Sequence, residues 1–126
     1  MSATFATQSA LPSLDVDLNG NYDALSDGLL VLRHLFGATG SASTNGALGA
    51  GAQRTNPADI TAYLNAIAPA LDVDGDGRVD ALTDGVMVLR FQFGVRGEAL
   101  TQGAISPGAT RTAASEIEAF LQALMP

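Results

Sequence analysis

Between Leu71 and Gly85 the chain reads LDVDGDGRVDALTDG, with five aspartates and three glycines in fifteen residues. Carboxylates crowded this closely repel one another unless a cation neutralises them or water keeps them apart, and their order argues for the cation. Asp72, Asp74 and Asp76 stand at loop positions 1, 3 and 5, a spacing that turns successive carboxylates toward one centre. Gly77 follows at position 6, where an oxygen-ligating loop turns sharply. Arg78 at position 7 can offer only its backbone carbonyl, and Asp80 at position 9 can bind directly or through water. Calcium takes about 6–8 oxygens and tolerates irregular geometry, whereas magnesium dehydrates reluctantly and prefers fewer carboxylates. The chemistry expected of this loop is calcium binding.

The same pattern stands earlier in the chain as Asp15, Asp17, Asn19, Gly20, the Asn21 carbonyl and Asp23, offset by 72 − 15 = 57 residues. Here Asn19 replaces a carboxylate by a neutral oxygen, so ligand charge alone predicts weaker binding at the first loop. The offset holds without a gap from Pro12/Pro69 to Pro69/Pro126, and about half of the aligned positions are identical. The chain is one unit written twice: a tail over 1–11, a repeat over 12–68 and a second over 69–126, expected to form one domain.

Each unit needs elements that position its loop. A helix is predicted over 26–36 and again over 83–93, with Ser26 and Thr83 as N-caps. Leu29, Leu32 and Phe36, with Leu30 alongside, have the spacing of an inward helical face, matched by Val86, Leu89 and Phe93. Gly37 and Gly94 supply the left-handed stop. A glycine-rich linker follows and reads as a flexible surface loop, with a short helical turn near Glu98 to Gln102. A second helix then starts at Asn56 and Pro57, with Asp59 at the capping-box position and Ile60, Tyr63, Leu64 and Ile67 inward. Ile117, Phe120, Leu121 and Leu124 repeat that face. The helix from Pro57 runs into the second loop and serves as its entering helix, while the last helix stops where a third loop would begin if the array continued.

In this frame the twelfth loop position is Ser26 or Thr83, and the next acid, Asp27 or Asp84, comes one residue later. An extra residue in the stretches 24–26 and 81–83 would bulge the loop and let Asp27 and Asp84 close the site, as bidentate ligands, from the first helical turn.

Two copies of Asp-x-Asp/Asn-x-Asp/Asn-Gly, each followed by one helix, resemble the dockerin family and its EF-hand-like calcium loops. The run DVDGDGRVDALTDGVMVLRFQFG resembles dockerin-type repeats of large bacterial extracellular proteins. The resemblance implies an all-α fold with two EF-hand-like loop–helix units, additional helices and a pseudo-twofold. It implies two calcium ions, extracellular or cell-surface placement, and a protein partner of the cohesin kind or neighbouring repeats. The loop is one residue longer than a dockerin's and the 57-residue spacing much longer. The positions associated with cohesin choice are the apolar pairs Ala24–Leu25 and Ala81–Leu82.

Composition narrows the alternatives. The formal charge is −7 with six arginines and no lysine, which leaves no basic footprint for nucleic acid. Nine of the thirteen acids fall in the two loops. No apolar run approaches the roughly 20 residues of a membrane span, and 1–11 lacks the features of a signal peptide. With aromatics at 6% and no cysteine, the core is thin and a metal is the available staple. His34 is the sole histidine and its repeat counterpart is Phe91, so the chain is not expected to be an enzyme; a calcium-dependent hydrolase is the remote alternative. Arg33 and Arg90, matched across the repeats, are expected either to pair with loop acids or to mark a contact surface. A monomeric, calcium-stabilised structural or interaction module is the function these features predict.

Overall fold

Each acidic loop passes into its helix through a turn wound wider than an α-helix. The computed structural model describes residues 12–125, so the expected tail over 1–11 lies outside it. A π-helical turn, Ala24–Gly28, runs directly into helix α1, Leu29–Leu35. After a one-turn helix α2, Ser41–Thr44, come α3, Pro57–Ala66, and a 3-10 turn, Ala68–Leu71. The second unit repeats the order: a π turn Ala81–Gly85, α4 over Val86–Gln92, α5 over Glu98–Thr101 and α6 over Ala114–Gln122. The described residues are all-α, with no strand among them.

The π turns absorb the extra loop residue. Gly28 N–H donates to the Asp23 carbonyl and Gly85 N–H to that of Asp80, both at 3.1 Å, spanning one residue more than an α-helical bond. This corrects the expected helix starts. Ser26 and Thr83 lie inside the turns and cap nothing; the extended residues before the turns are Asp23 and Asp80. The stops are as expected. Gly37 and Gly94 both have φ 92°, and Ala38 N–H and Val95 N–H reach back to the Arg33 and Arg90 carbonyls at 2.9 and 3.0 Å, a Schellman closure. The Asn56 side chain caps α3 by accepting from Ala58 N–H at 2.9 Å.

Helices α1 and α4 pack against each other, and each also packs on the π turn of the other unit. A Cβ at Gly28 would lie 2.8 Å from Leu89 Cδ1, and one at Gly85 would lie 2.9 Å from Leu32 Cδ1. These contacts are related by the repeat offset. Glycine here allows the helices to approach at their crossing.

The inward face is the expected one at Leu30 and, half-buried against the core, at Leu29 and Val86, but not at Phe36 and Phe93. Leu30, Val31, Met87, Val88 and Phe91 are buried in the core, whereas Phe36 is 62% and Phe93 58% exposed. The closing aspartate sets the phase. Leu30 and Val31 follow Asp27 by three and four residues and share its face, whereas Phe36, nine residues on, points about 180° away. The second helices keep their expected face: Ile60, Leu64, Ile67, Ile117, Leu121 and Leu124 are all buried.

The second unit's end meets the first unit's beginning. Leu14 N–H donates to the Leu124 carbonyl at 2.9 Å. Leu124 matches Ile67 and Leu14 matches Leu71, so α6 stands to the first loop as α3, through its 3-10 turn, stands to the second. Among the described residues, no helix is long and apolar enough to cross a membrane.

Candidate metal centres

The first residue of each loop folds the backbone around its own carboxylate. Asp15 Oδ1 and Oδ2 accept from Asn19 N–H at 3.1 Å and Gly20 N–H at 2.9 Å. Asp72 does the same with Asp76 N–H at 3.2 Å and Gly77 N–H at 2.9 Å. The fifth residue makes the next turn: Asn19 Oδ1 accepts from Asn21 N–H and Asp76 Oδ1 from Arg78 N–H, both at 2.9 Å. These bonds engage the Asn21 and Arg78 N–H groups.

Asp27 and Asp84 reach back from the π turns into the loops. Asp27 Oδ1 accepts from Val16 N–H at 2.8 Å and Asp17 N–H at 3.3 Å, and its Oδ2 from Asp23 N–H at 3.0 Å. Asp84 binds Val73 N–H at 2.7 Å, Asp74 N–H at 3.3 Å and Asp80 N–H at 2.8 Å in the same way. Each carboxylate ties the start of its loop to its end. Burial pushes Asp27 up from 3.8 to about 7, helped by the Asp17 charge and opposed by the N–H donors. Burial pushes Asp84 up to about 6 against the same kind of opposition.

The carboxylates converge. One oxygen from each of Asp15, Asp17 and Asp27 lies within 4.8 Å of the others, as does one from each of Asp72, Asp74, Asp76 and Asp84. Each group could hold a metal ion. Asp23 and Asp80, expected at the ninth position, are not among them and act through their N–H groups on Asp27 and Asp84. Asp17 and Asp74 are both 0% exposed, and their Oδ1 atoms have no hydrogen-bond partner. A buried carboxylate oxygen with no donor, facing other carboxylates, is costly. All the converging atoms are oxygens, so this donor set fits a hard divalent cation.

The linkers are not the loose surface loops their composition suggests. After α2 and α5 the chain returns across the acidic loop as a strap. Gly49 N–H donates to Asp17 Oδ2 at 2.6 Å, and Gln53 and Arg54 N–H both donate to the Asp17 carbonyl at 2.9 Å. In the second unit Ser106 N–H binds Asp74 Oδ2 at 2.9 Å, while Thr110 and Arg111 N–H bind the Asp74 carbonyl at 2.9 and 2.8 Å. Arg54 then donates to the Val16 carbonyl, and Arg111 to the Val73 and Asp72 carbonyls. Their guanidinium groups stack on Tyr63 at 3.8 Å and Phe120 at 4.0 Å. Sequence reasoning assigned these strap residues no role, although Arg54/Arg111 and Gly51/Gly108 recur in register.

Other candidates take different places. Arg33 donates to the Asn45 carbonyl, and Arg90 to those of Leu100 and Gln102. Both arginines fasten the end of the short helix before the strap, α2 or α5, rather than a loop acid. His34 is half-buried on α1; burial lowers its basicity and a hydrogen bond with Asn65 opposes that. Leu25 and Leu82 are 64% and 67% exposed. Leu25 lines an open cavity of about 510 Å³ together with Ser26, Leu48, Gln92 and Phe93.

Compared with family models, curated proteins and solved structures, the chain shows no match.

Proposed function

We propose that the protein is a calcium-stabilised, dockerin-like structural module that takes one ion in each acidic loop and works outside the cell or at its surface. The observation that carries this reading is the pair of unpartnered, fully buried oxygens, Asp17 Oδ1 and Asp74 Oδ1, each within a converging carboxylate group. Asp15, Asp17 and Asp27 would hold one ion, with Asn19 and the Asn21 carbonyl beside them. Asp72, Asp74, Asp76 and Asp84 would hold the other, with the Arg78 carbonyl. An ion would offset the mutual repulsion, so binding energy appears as folding energy. The pairing of the units as EF-hand-like halves about a twofold belongs to the same reading. Thermal unfolding in chelator and in millimolar calcium tests it. Calcium is expected to raise the melting temperature by well over about 10 °C, and an unchanged melting temperature defeats the reading.

Attachment to a protein partner is a second reading, favoured by apolar side chains left in solvent. Leu25 and Leu82 occupy the positions that the dockerin resemblance gives to partner choice, and Phe36 and Phe93 are exposed as well. Capture of a cohesin-type domain in calcium, lost in chelator and in a Leu25→Asp/Leu82→Asp variant, supports it. Absence of capture in calcium removes it.

A further inference from the structure

The two straps differ at one residue that touches the acidic loop, and that difference matches a difference in the loop itself. In the second unit the strap residue is Ser106. Its hydroxyl donates to Asp74 Oδ2 at 3.0 Å and also reaches Asp76 Oδ2, bridging two carboxylates of one group. In the first unit the equivalent residue is Gly49, and the equivalent of Asp76 is Asn19. A Cβ at Gly49 would lie 2.4 Å from Asn19 Nδ2, so a strap side chain there displaces the amide from its place. Asn19 Nδ2 instead turns to the Ala50 carbonyl at 3.4 Å. Each unit therefore carries a matched pair: a carboxylate with a hydroxyl donor, or an amide with none.

We infer that the strap residue, Ser106 or Gly49, is a positioning residue that sets the calcium affinity of its loop. This inference rests on the calcium reading above and adds a determinant that lies outside the loop, 32 residues from the aspartate it binds. Ser106 has a single proton to donate and two carboxylates to receive it. Sharing it holds Asp74 and Asp76 at the spacing a cation needs and lowers the cost of keeping them together before the ion arrives. Asp74 Oδ2, satisfied by Ser106 N–H and hydroxyl, leaves Oδ1 as the unpartnered oxygen. At the first loop Gly49 supplies only its N–H to Asp17 Oδ2, and Asn19 brings no charge that needs bridging. The second site is the tighter one, for a reason that lies partly outside the loop.

Calorimetric titration of the metal-free full chain with calcium chloride tests this. The wild type is expected to bind at two unequal sites. Ser106→Ala weakens the tighter site about tenfold and leaves the weaker one in place, as loss of a ligand-orienting group does. The converse variant gains function. Asn19→Asp/Gly49→Ser strengthens the weaker site about tenfold, whereas Gly49→Ser alone brings no gain because Asn19 offers no second carboxylate to bridge, so the substitutions are strongly non-additive. A purely structural role for Ser106 would lower both affinities together with the melting temperature in chelator, and that result overturns the inference. So does a Ser106→Ala profile matching the wild type, or a double variant whose effect is the sum of its parts. A wild-type chain that takes up no calcium overturns the calcium reading and this inference with it.

Discussion

The first and second acidic loops share a closing aspartate, a strap and a partner helix, yet they solve one electrostatic problem differently. The second gathers four carboxylates and bridges two of them with the Ser106 hydroxyl; the first gathers three and substitutes an amide. Their backbones differ too. Gly75 takes a positive φ of 69°, whereas Leu18, its counterpart, is held at 58° and is the only non-glycine with positive φ among the described residues. Thr110 Oγ1 donates to the Gly75 carbonyl at 2.8 Å, and a Cβ at Gly75 would collide with that hydroxyl. The second loop is the better adjusted of the two, with more charge, a donor shared across it and an unstrained turn. The two copies share one scaffold and differ at a few side chains at fixed places.

The largest effect expected from breaking this comparison falls on the closing aspartates. Asp84→Ala removes the acceptor for Val73, Asp74 and Asp80 N–H and should cost about 3 kcal/mol in calcium, read by chemical denaturation. Asp27→Ala should cost about 1 kcal/mol less in calcium, because the ion it forfeits is the weaker one, and the difference should vanish in chelator.

The pH dependence should change sign with the metal. Asp27 and Asp84 in the folded chain are raised from 3.8 to about 7 and about 6, so the metal-free fold binds protons more tightly than the unfolded chain. Their contribution to stability is full below about pH 4 and is lost as pH rises toward 7. With calcium the ionised carboxylates are the ones bound, protons compete, and stability should fall as pH drops through the same window. Melting curves from pH 4 to 8 with and without chelator check both signs.

Smaller effects sharpen the asymmetry at the helix crossing and in the first loop. Gln92 buries both amide atoms without partners where the first unit has Leu35, so Gln92→Leu should stabilise by about 1–2 kcal/mol in calcium and chelator alike. Leu18→Gly should stabilise by about 1 kcal/mol by relieving the left-handed strain, visible as a raised denaturation midpoint.

What the sequence disclosed was local. Asp15, Asp17, Asp27 and their counterparts lie within about one loop of each other, so their spacing alone brought them to a common centre. The π turn was half legible: one extra residue before Asp27 called for a bulge, but Ser26 and Thr83 resemble caps and misplaced the helix start. The same reading put Phe36 in the core, where Val31 joins the expected Leu30. The strap was illegible for a different reason. Gly49 reaches Asp17 across 32 residues and Arg54 reaches Val16 across 38, mostly through backbone groups that every residue carries. The recurrence of Arg54 at Arg111 was the remaining signal, and without a partner in view it pointed nowhere.

A count of bound calcium tests the central claim most directly. Equilibrium dialysis of the purified chain against increasing calcium, followed by elemental analysis, should reach two ions per chain, one for each acidic group, with the second half-filled at a several-fold higher calcium concentration than the first. Fewer than one ion bound at several millimolar calcium, the range in which extracellular calcium modules fill, would contradict the account.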